Sequence, residues 1–337
     1  SLGDAIKLIE RSLPVLEQFD YSSDIASAYN ALAGLYYNSG VAQRALEHAE
    51  KGLALREELG DSYGIANSRN NLGLLTMNLG HWDEAQEHLA RGLELYEKIG
   101  NVVGTIITNH NLGLIARWRG EYDIAEARFN NALSSARSIS HKYSVASSLK
   151  ELGEQAILQQ DYDAALVYLD EAGSLAAETG ARDLVADAEW LRGWVYLEQI
   201  ELQEAEQHVD SAIRIARETG AKEAHASALR VQGMLYRFEG KLLEARAAFS
   251  ESLKVFEKLN NKYQVALSQF ELGRTYAVKA LDYPDGAPQL SAEAAGLISR
   301  AIDAFAALGA QPDMARARMA LMGTESAGIL QPAETSD

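Results

Sequence analysis

The stretch "NNLGLLTMNLGHWDEA", residues 70–85, reads as an apolar helix with Gly73 at its centre, a stop at Gly80 and a restart in an acidic turn. Glycine inside a helix costs about 1 kcal/mol relative to alanine, so its presence asks for a reason. "HNLGLIARWRGEYDIA", residues 110–125, repeats the same skeleton forty residues later. The glycine is therefore a feature of a repeating unit, and repeats are sought before domains are counted.

Seven mid-helix glycines follow in register: Gly34, Gly73, Gly113, Gly153, Gly193, Gly233 and Gly273, spaced by 39 and then five times by 40 residues. Twelve residues after five of them stands an alanine (Ala85, Ala125, Ala165, Ala205, Ala245), and Ala45 lies eleven after the first. Four residues further a larger apolar side chain is usual: Leu89, Phe129, Leu169, Val209 and Phe249. Each unit is thus two amphipathic helices, A and B, with small residues at their close approach and large ones filling the seam. Helix A stops near Gly40, Gly80, Gly120 and Gly240, and helix B near Gly60, Gly100, Gly180 and Gly220, with Asn260 in the same role. These residues suit a left-handed C-terminal cap; Ser140 departs from the pattern. Carboxylates after the first stop, as in "GHWDEA", complement the positive end of helix B.

Hydrophobic residues make up 47% of the 337-residue chain, charged residues 23%, and there are only five prolines, which is the composition of a folded protein. Zero cysteines exclude disulfides and thiolate metal sites and fit a reducing, cytoplasmic compartment. A formal charge of −17 disfavours nucleic acid and anionic membrane surfaces as partners. No apolar run reaches the length of a membrane span, and the start "SLGDAIKLIE" lacks the form of a signal peptide. Because Ser1 opens directly inside an amphipathic segment, residues are expected upstream of it.

A small residue in helix A, a tyrosine three positions on (Tyr37, Tyr196, Tyr236, Tyr276), an alanine opening helix B and then Phe or Leu together resemble the tetratricopeptide repeat. The likeness is to its forty-residue form, similar to the repeats of Pins-type spindle adaptors and of large bacterial signalling proteins. The pattern departs where Arg192 and Gln232 replace the leucine before the glycine, and where the usual proline after helix B is absent. The resemblance implies an all-α solenoid, a right-handed superhelix of antiparallel helix pairs with A helices on the inner surface. We expect a single array over residues 1–323. It consists of a leading helix B (3–19), seven pairs (about 22–309) and a closing helix (about 312–322), followed by a flexible tail (324–337). Near "LDYPDGAPQL" about nine residues are inserted, as a loop or a longer A helix, if Ile298 corresponds to Phe249.

The sequence holds no phosphate loop, His-Glu-x-x-His, calcium loop or nucleophile elbow, so neither an enzyme nor a cofactor or metal site is expected. His48, His88 and His208 share one register but fall in different repeats, too far apart for one ion. In the family the ligand meets one face of the A helices. Helical spacing places Asn67, Asn70, His110, Arg117, Lys150, Trp190, Trp194, Arg230, Arg237 and Arg274 there, with Glu154, Asp187 and Phe270. Asparagine amides can bond a peptide backbone in both directions, cations can bind carboxylates, and two tryptophans can form an apolar shelf. Trp82, Tyr122 and Tyr162, which recur before helix B, are expected to be structural. These readings make the chain a protein-interaction scaffold holding an acidic peptide or a partner helix. The alternative is a regulatory arm of a larger bacterial signalling protein, such as a nucleotide cyclase or nucleotide-dependent regulator, contacting its own neighbouring domain. Self-association through the terminal helices is a further expected mode.

Overall fold

The computed structural model describes residues 2–19, 21–283 and 286–326, with side chains to residue 323. The described residues form helices joined by two to four residues, short enough to make each helix antiparallel to the next. The leading helix is α1 (Leu2–Gln18). Seven pairs follow: α2 (Ser22–Asn38) with α3 (Ala42–Leu59), α4 (Ser62–Asn78) with α5 (Trp82–Lys98), α6 (Val102–Arg119) with α7 (Tyr122–Ser138), and α8 (Lys142–Leu158) with α9 (Tyr162–Thr179). The series continues with α10 (Arg182–Glu198) and α11 (Leu202–Thr219), α12 (Lys222–Phe238) and α13 (Leu242–Lys258), then α14 (Lys262–Asp282) and α15 (Ala287–Leu308). The last helix is α16 (Gln311–Ser326). The expected tail falls, from residue 327 on, outside the described residues.

Two compact units are formed. One comprises Ser1–Ala116, Asp123–His141 and Lys258–Asn260; the other comprises Arg117–Tyr122, Lys142–Glu257 and Asn261–Asp337. In the first, Gly73 lets α4 meet α5: a Cβ there would lie 2.5 Å from Leu89 Cγ, and one on Gly113 would lie 2.5 Å from Phe129 Cε1. In the second, the same approach recurs at Gly153 against Leu169 (2.8 Å), Gly193 against Val209 (2.6 Å), Gly233 against Phe249 (2.8 Å) and Gly273 against Ile298 (2.7 Å). The last contact fixes the Ile298 register, and the inserted residues are taken up by lengthening both helices, α14 to 21 and α15 to 22 residues. Ala45, Ala85, Ala125, Ala165, Ala205, Ala245 and Ala294 are all fully buried. Each fully buried Leu or Phe contributes about 1.5–3 kcal/mol.

The stops are left-handed at every expected glycine, and Asn260 shares that conformation at φ 54°. Ser140 (φ 54°) also keeps it, as do Gln160 and Ile200 (φ 63° each), so the repeat holds the turn where the sequence lacks the residue that favours it. Restarts are capped by side chains: Asp61 Oδ1 accepts from Gly64 N (2.9 Å), Asn101 from Gly104 N (2.8 Å), Asp161 from Ala164 N (3.1 Å) and Asn261 from Gln264 N (3.1 Å). Trp82 is buried with its Nε1 donating to Met77 O (3.2 Å). No described helix is long and apolar enough to cross a membrane.

Candidate functional site

The A-helix faces carry polar side chains at a fixed offset from one repeat to the next. In the first unit, Asn70 is buried in α4, and its Oδ1 accepts from Thr108 Oγ1 (3.2 Å) and Asn111 Nδ2 (3.5 Å) of α6. Asn67 is half-buried and accepts from the Tyr96 hydroxyl (3.4 Å). His110 meets the Phe129 ring edge-on at 6.2 Å.

In the second unit, Arg117 is buried and pairs with Glu151 (2.8 Å) and Glu154 (2.9 Å) of α8, and its Nη1 donates to Glu151 O (3.2 Å). Burial works against its charge, but Glu154 and Glu151 outweigh that and raise its pKa. Lys150 pairs with Glu151; burial again opposes the charge, and Glu151 with Asp187 holds the ammonium above its ordinary range. Arg237 repeats the Arg117 arrangement 120 residues later: it pairs with Glu271 of α14 at 2.5 Å and donates to Glu271 O at 3.0 Å. Arg274 is exposed and reaches Glu271 at 3.4 Å. Glu271 stays below the usual carboxylate range although burial opposes this, because Arg237 and Arg274 flank it.

Thus four of the five cations expected on the inner face are engaged by carboxylates of the chain. Arg230 is different. It is buried, its guanidinium lies 5.9 Å over the Phe256 ring, and it donates to the Gln264 side-chain oxygen. No carboxylate of the described residues stands at ion-pair distance, and burial pushes its pKa down.

Trp190 and Trp194 stack with ring centroids 6.5 Å apart. Trp190 is 5% exposed and donates to Asp187 (3.0 Å); the half-buried Trp194 donates to Glu198 (2.9 Å). Both pack on the core of α10 and its neighbours, so the expected shelf presents mainly the Trp194 ring. Burial pushes the Asp187 carboxyl up to about 6. Phe270, also expected on this face, is 2% exposed and has the Arg274 and Arg316 guanidinium carbons each 5.7 Å from its ring centroid. Tyr263 donates to Asp313 (2.7 Å) of α16.

Sequence reading missed the acceptors Glu151, Glu271 and Gln264, which lie 34 residues after their arginines; that recurring offset was the available signal. It also missed Gln155, whose amide nitrogen and oxygen are buried without a partner, at the register of Leu75, Ile115 and Val195. The three histidines of helix B are seam residues: His48 stacks on Tyr36 (5.2 Å), His208 stacks on Tyr196 (5.2 Å) and bonds Glu189, and His88 lies 3.7 Å from Glu84. Among the described residues no three metal-ligating side chains are gathered.

Residues 24–98 and 104–172 match the family model described as tetratricopeptide repeat. Similar solved structures include the apo form of RapI, at 16% identity and a TM-score of 0.66, covering 77% of this chain and 93% of that one. The Rap conjugation gene regulator of the plasmid pLS20, in complex with the Phr* peptide, is similar at 14% identity and a TM-score of 0.61, covering 91% and 76%. A signal-transduction ATPase with numerous domains and a tetratricopeptide repeat sensor, from Pyrococcus horikoshii, is similar at 20% identity and a TM-score of 0.55, covering 76% and 39%. No curated protein sequence matches. At these identities the likeness is one of fold.

Proposed function

Because the chain carries tetratricopeptide repeats over residues 24–98 and 104–172, we propose that it is a cytoplasmic interaction scaffold holding an extended peptide or partner helix with acidic side chains. The observation that carries this reading is Arg230, a buried guanidinium with an amide oxygen and an aromatic face but, among the described residues, no carboxylate at ion-pair distance. A desolvated cation of that kind gains about 1.5–3 kcal/mol from a charge-assisted hydrogen bond. Two or three such contacts are enough for a micromolar complex after ordering costs. The pLS20 regulator, whose structure holds a peptide, gives the fold a precedent for this class of ligand.

A random-peptide library selected on the immobilised chain tests the reading, with Arg230→Gln as the comparison. Enrichment of Asp and Glu on the wild type and its loss on the variant are expected. An empty selection, or one with no acidic bias, overturns it.

The second reading, a regulatory arm of a larger signalling protein, is favoured by the Pyrococcus horikoshii structure, in which the matched region is 39% of that chain. A catalytic domain encoded in the same reading frame supports the arm.

A further inference from the structure

The first repeat breaks the packing rule that the other six obey. Elsewhere the A-helix glycine is filled from helix B by Leu89, Phe129, Leu169, Val209, Phe249 or Ile298, each no more than 1% exposed. In the first repeat the same register holds Ala49, and a Cβ on Gly34 would meet nothing within 4 Å. The missing side chain leaves a cavity of about 240 Å³ between α2, α3 and α4.

It is lined by the buried Ala49 and the exposed Gly34, together with Leu75 and the Tyr37 ring. Leu74 stands beside the mouth, 40% exposed. The polar groups divide clearly. Asn30 is committed, its Nδ2 donating to Ser68 Oγ (3.1 Å). Asn71, exposed, and Asn78, half-buried, lie one helical stretch apart on the same face of α4, and neither carboxamide has a partner among the described residues. Each offers a donor and an acceptor, the pair of groups that a peptide unit requires.

We propose that this cavity seats one leucyl or phenylalanyl side chain of a bound peptide, while Asn71 and Asn78 bond the peptide units flanking it. The choice of occupant comes from the other repeats, where the equivalent space holds side chains of this kind. An apolar cavity of roughly 150 Å³ already accepts a benzene-sized guest, so a phenyl ring fits here. Apolar walls hold water poorly, so a guest that displaces it is favoured. The inference rests on the peptide-scaffold reading but places an apolar anchor in the first unit, independent of Arg230.

The probes are N-acetyl-leucine and N-acetyl-phenylalanine methylamides, each a single side chain between two peptide units, with the alanine analogue as control. Titrations are followed by the side-chain amide resonances of Asn71 and Asn78. Ala49→Leu and Gly34→Leu fill the cavity from opposite walls, so one of them remains informative if the other fails to fold. Saturable shifts are expected for the Leu and Phe probes, with dissociation constants on the order of millimolar. At least a tenfold loss is expected in either filled variant, and none of this with the Ala probe. No saturable shift on the wild type, or equal binding by a folded filled variant, overturns the proposal. A library-selected peptide that binds wild type and Ala49→Leu equally also overturns it, while leaving the scaffold reading intact. An empty library selection alongside saturable probe binding overturns the scaffold reading and the peptide as occupant together.

Discussion

At the scale of the residue, the repeat glycines separate into two kinds. A side chain at Gly153 would press on Leu169, with a Cβ only 2.8 Å from Leu169 Cγ and Cδ2, in a seam packed as densely as a crystal. Gly153→Leu therefore lowers the thermal midpoint, by the equivalent of about 1–3 kcal/mol or more. Gly34→Ala, with open space before it, gains roughly 0.5–1 kcal/mol from helix propensity. Melting curves of the two variants should move in opposite directions, and parallel shifts would refute the register. Ile200 is a second test. It is exposed and β-branched yet held at φ 63°, where an L side chain costs about 1–2 kcal/mol. Ile200→Gly should raise the unfolding free energy from chemical denaturation by about 1 kcal/mol after the entropy of the unfolded glycine is allowed for. Gln155 is a third: Gln155→Leu removes an unpartnered buried amide and should stabilise by about 1–3 kcal/mol in the same measurement.

At the scale of the element, the A helices communicate through charges that helical spacing alone does not reveal. The all-α pairing of helices was legible: the glycine period, the alanine register and the caps all read as antiparallel helix pairs, because local backbone preferences and seam packing agree there. The candidate face was legible only in part. Periodicity assigned Arg117 and Arg237 to it but could not show that Glu151 and Glu271 would claim them, since that depends on how adjacent A helices align. Trp190 illustrates the same limit: its position on the helix was readable, its burial on neighbouring helices was not. Asp187 of α10, facing Lys150 of α8, yields a prediction at this scale. Its carboxyl is held up to about 6 by burial, against a lower unfolded value near 3.9. Between those values the folded chain keeps a proton that the unfolded chain has released, so stability from this group falls as pH rises from about 4 to 6. Asp187→Asn should flatten that slope and recover up to about 3 kcal/mol at pH 7 relative to wild type. Denaturant titrations across pH 4–7 check it; a pH-independent difference between the two proteins would exclude the assignment.

At the scale of the whole molecule, the sequence carries 48 acidic against 31 basic side chains, and many of the basic ones are already paired, so acidic surface repels itself. Moderate salt screens exposed charges much more than buried pairs such as Arg117 with Glu151. The thermal midpoint should rise by about 1–2 °C between 10 and 150 mM NaCl, the equivalent of ~1 kcal/mol. A fall would mean that attractive surface pairs dominate instead. A chain built of near-copies also faces a problem of address: an A helix could in principle dock against the wrong neighbour, because every seam offers the same alanine and the same glycine. The arginine–carboxylate staples answer it. Arg117 finds an acid in α8 and Arg237 one in α14, while the corresponding positions of α4 and α10 carry Met77 and Leu197. Dealt in another order, the helices would bury Glu151 or Glu271 without a guanidinium, a fault costing about 3–5 kcal/mol. The repeats are therefore spelled almost alike but are not interchangeable, and their charges record the order in which they belong.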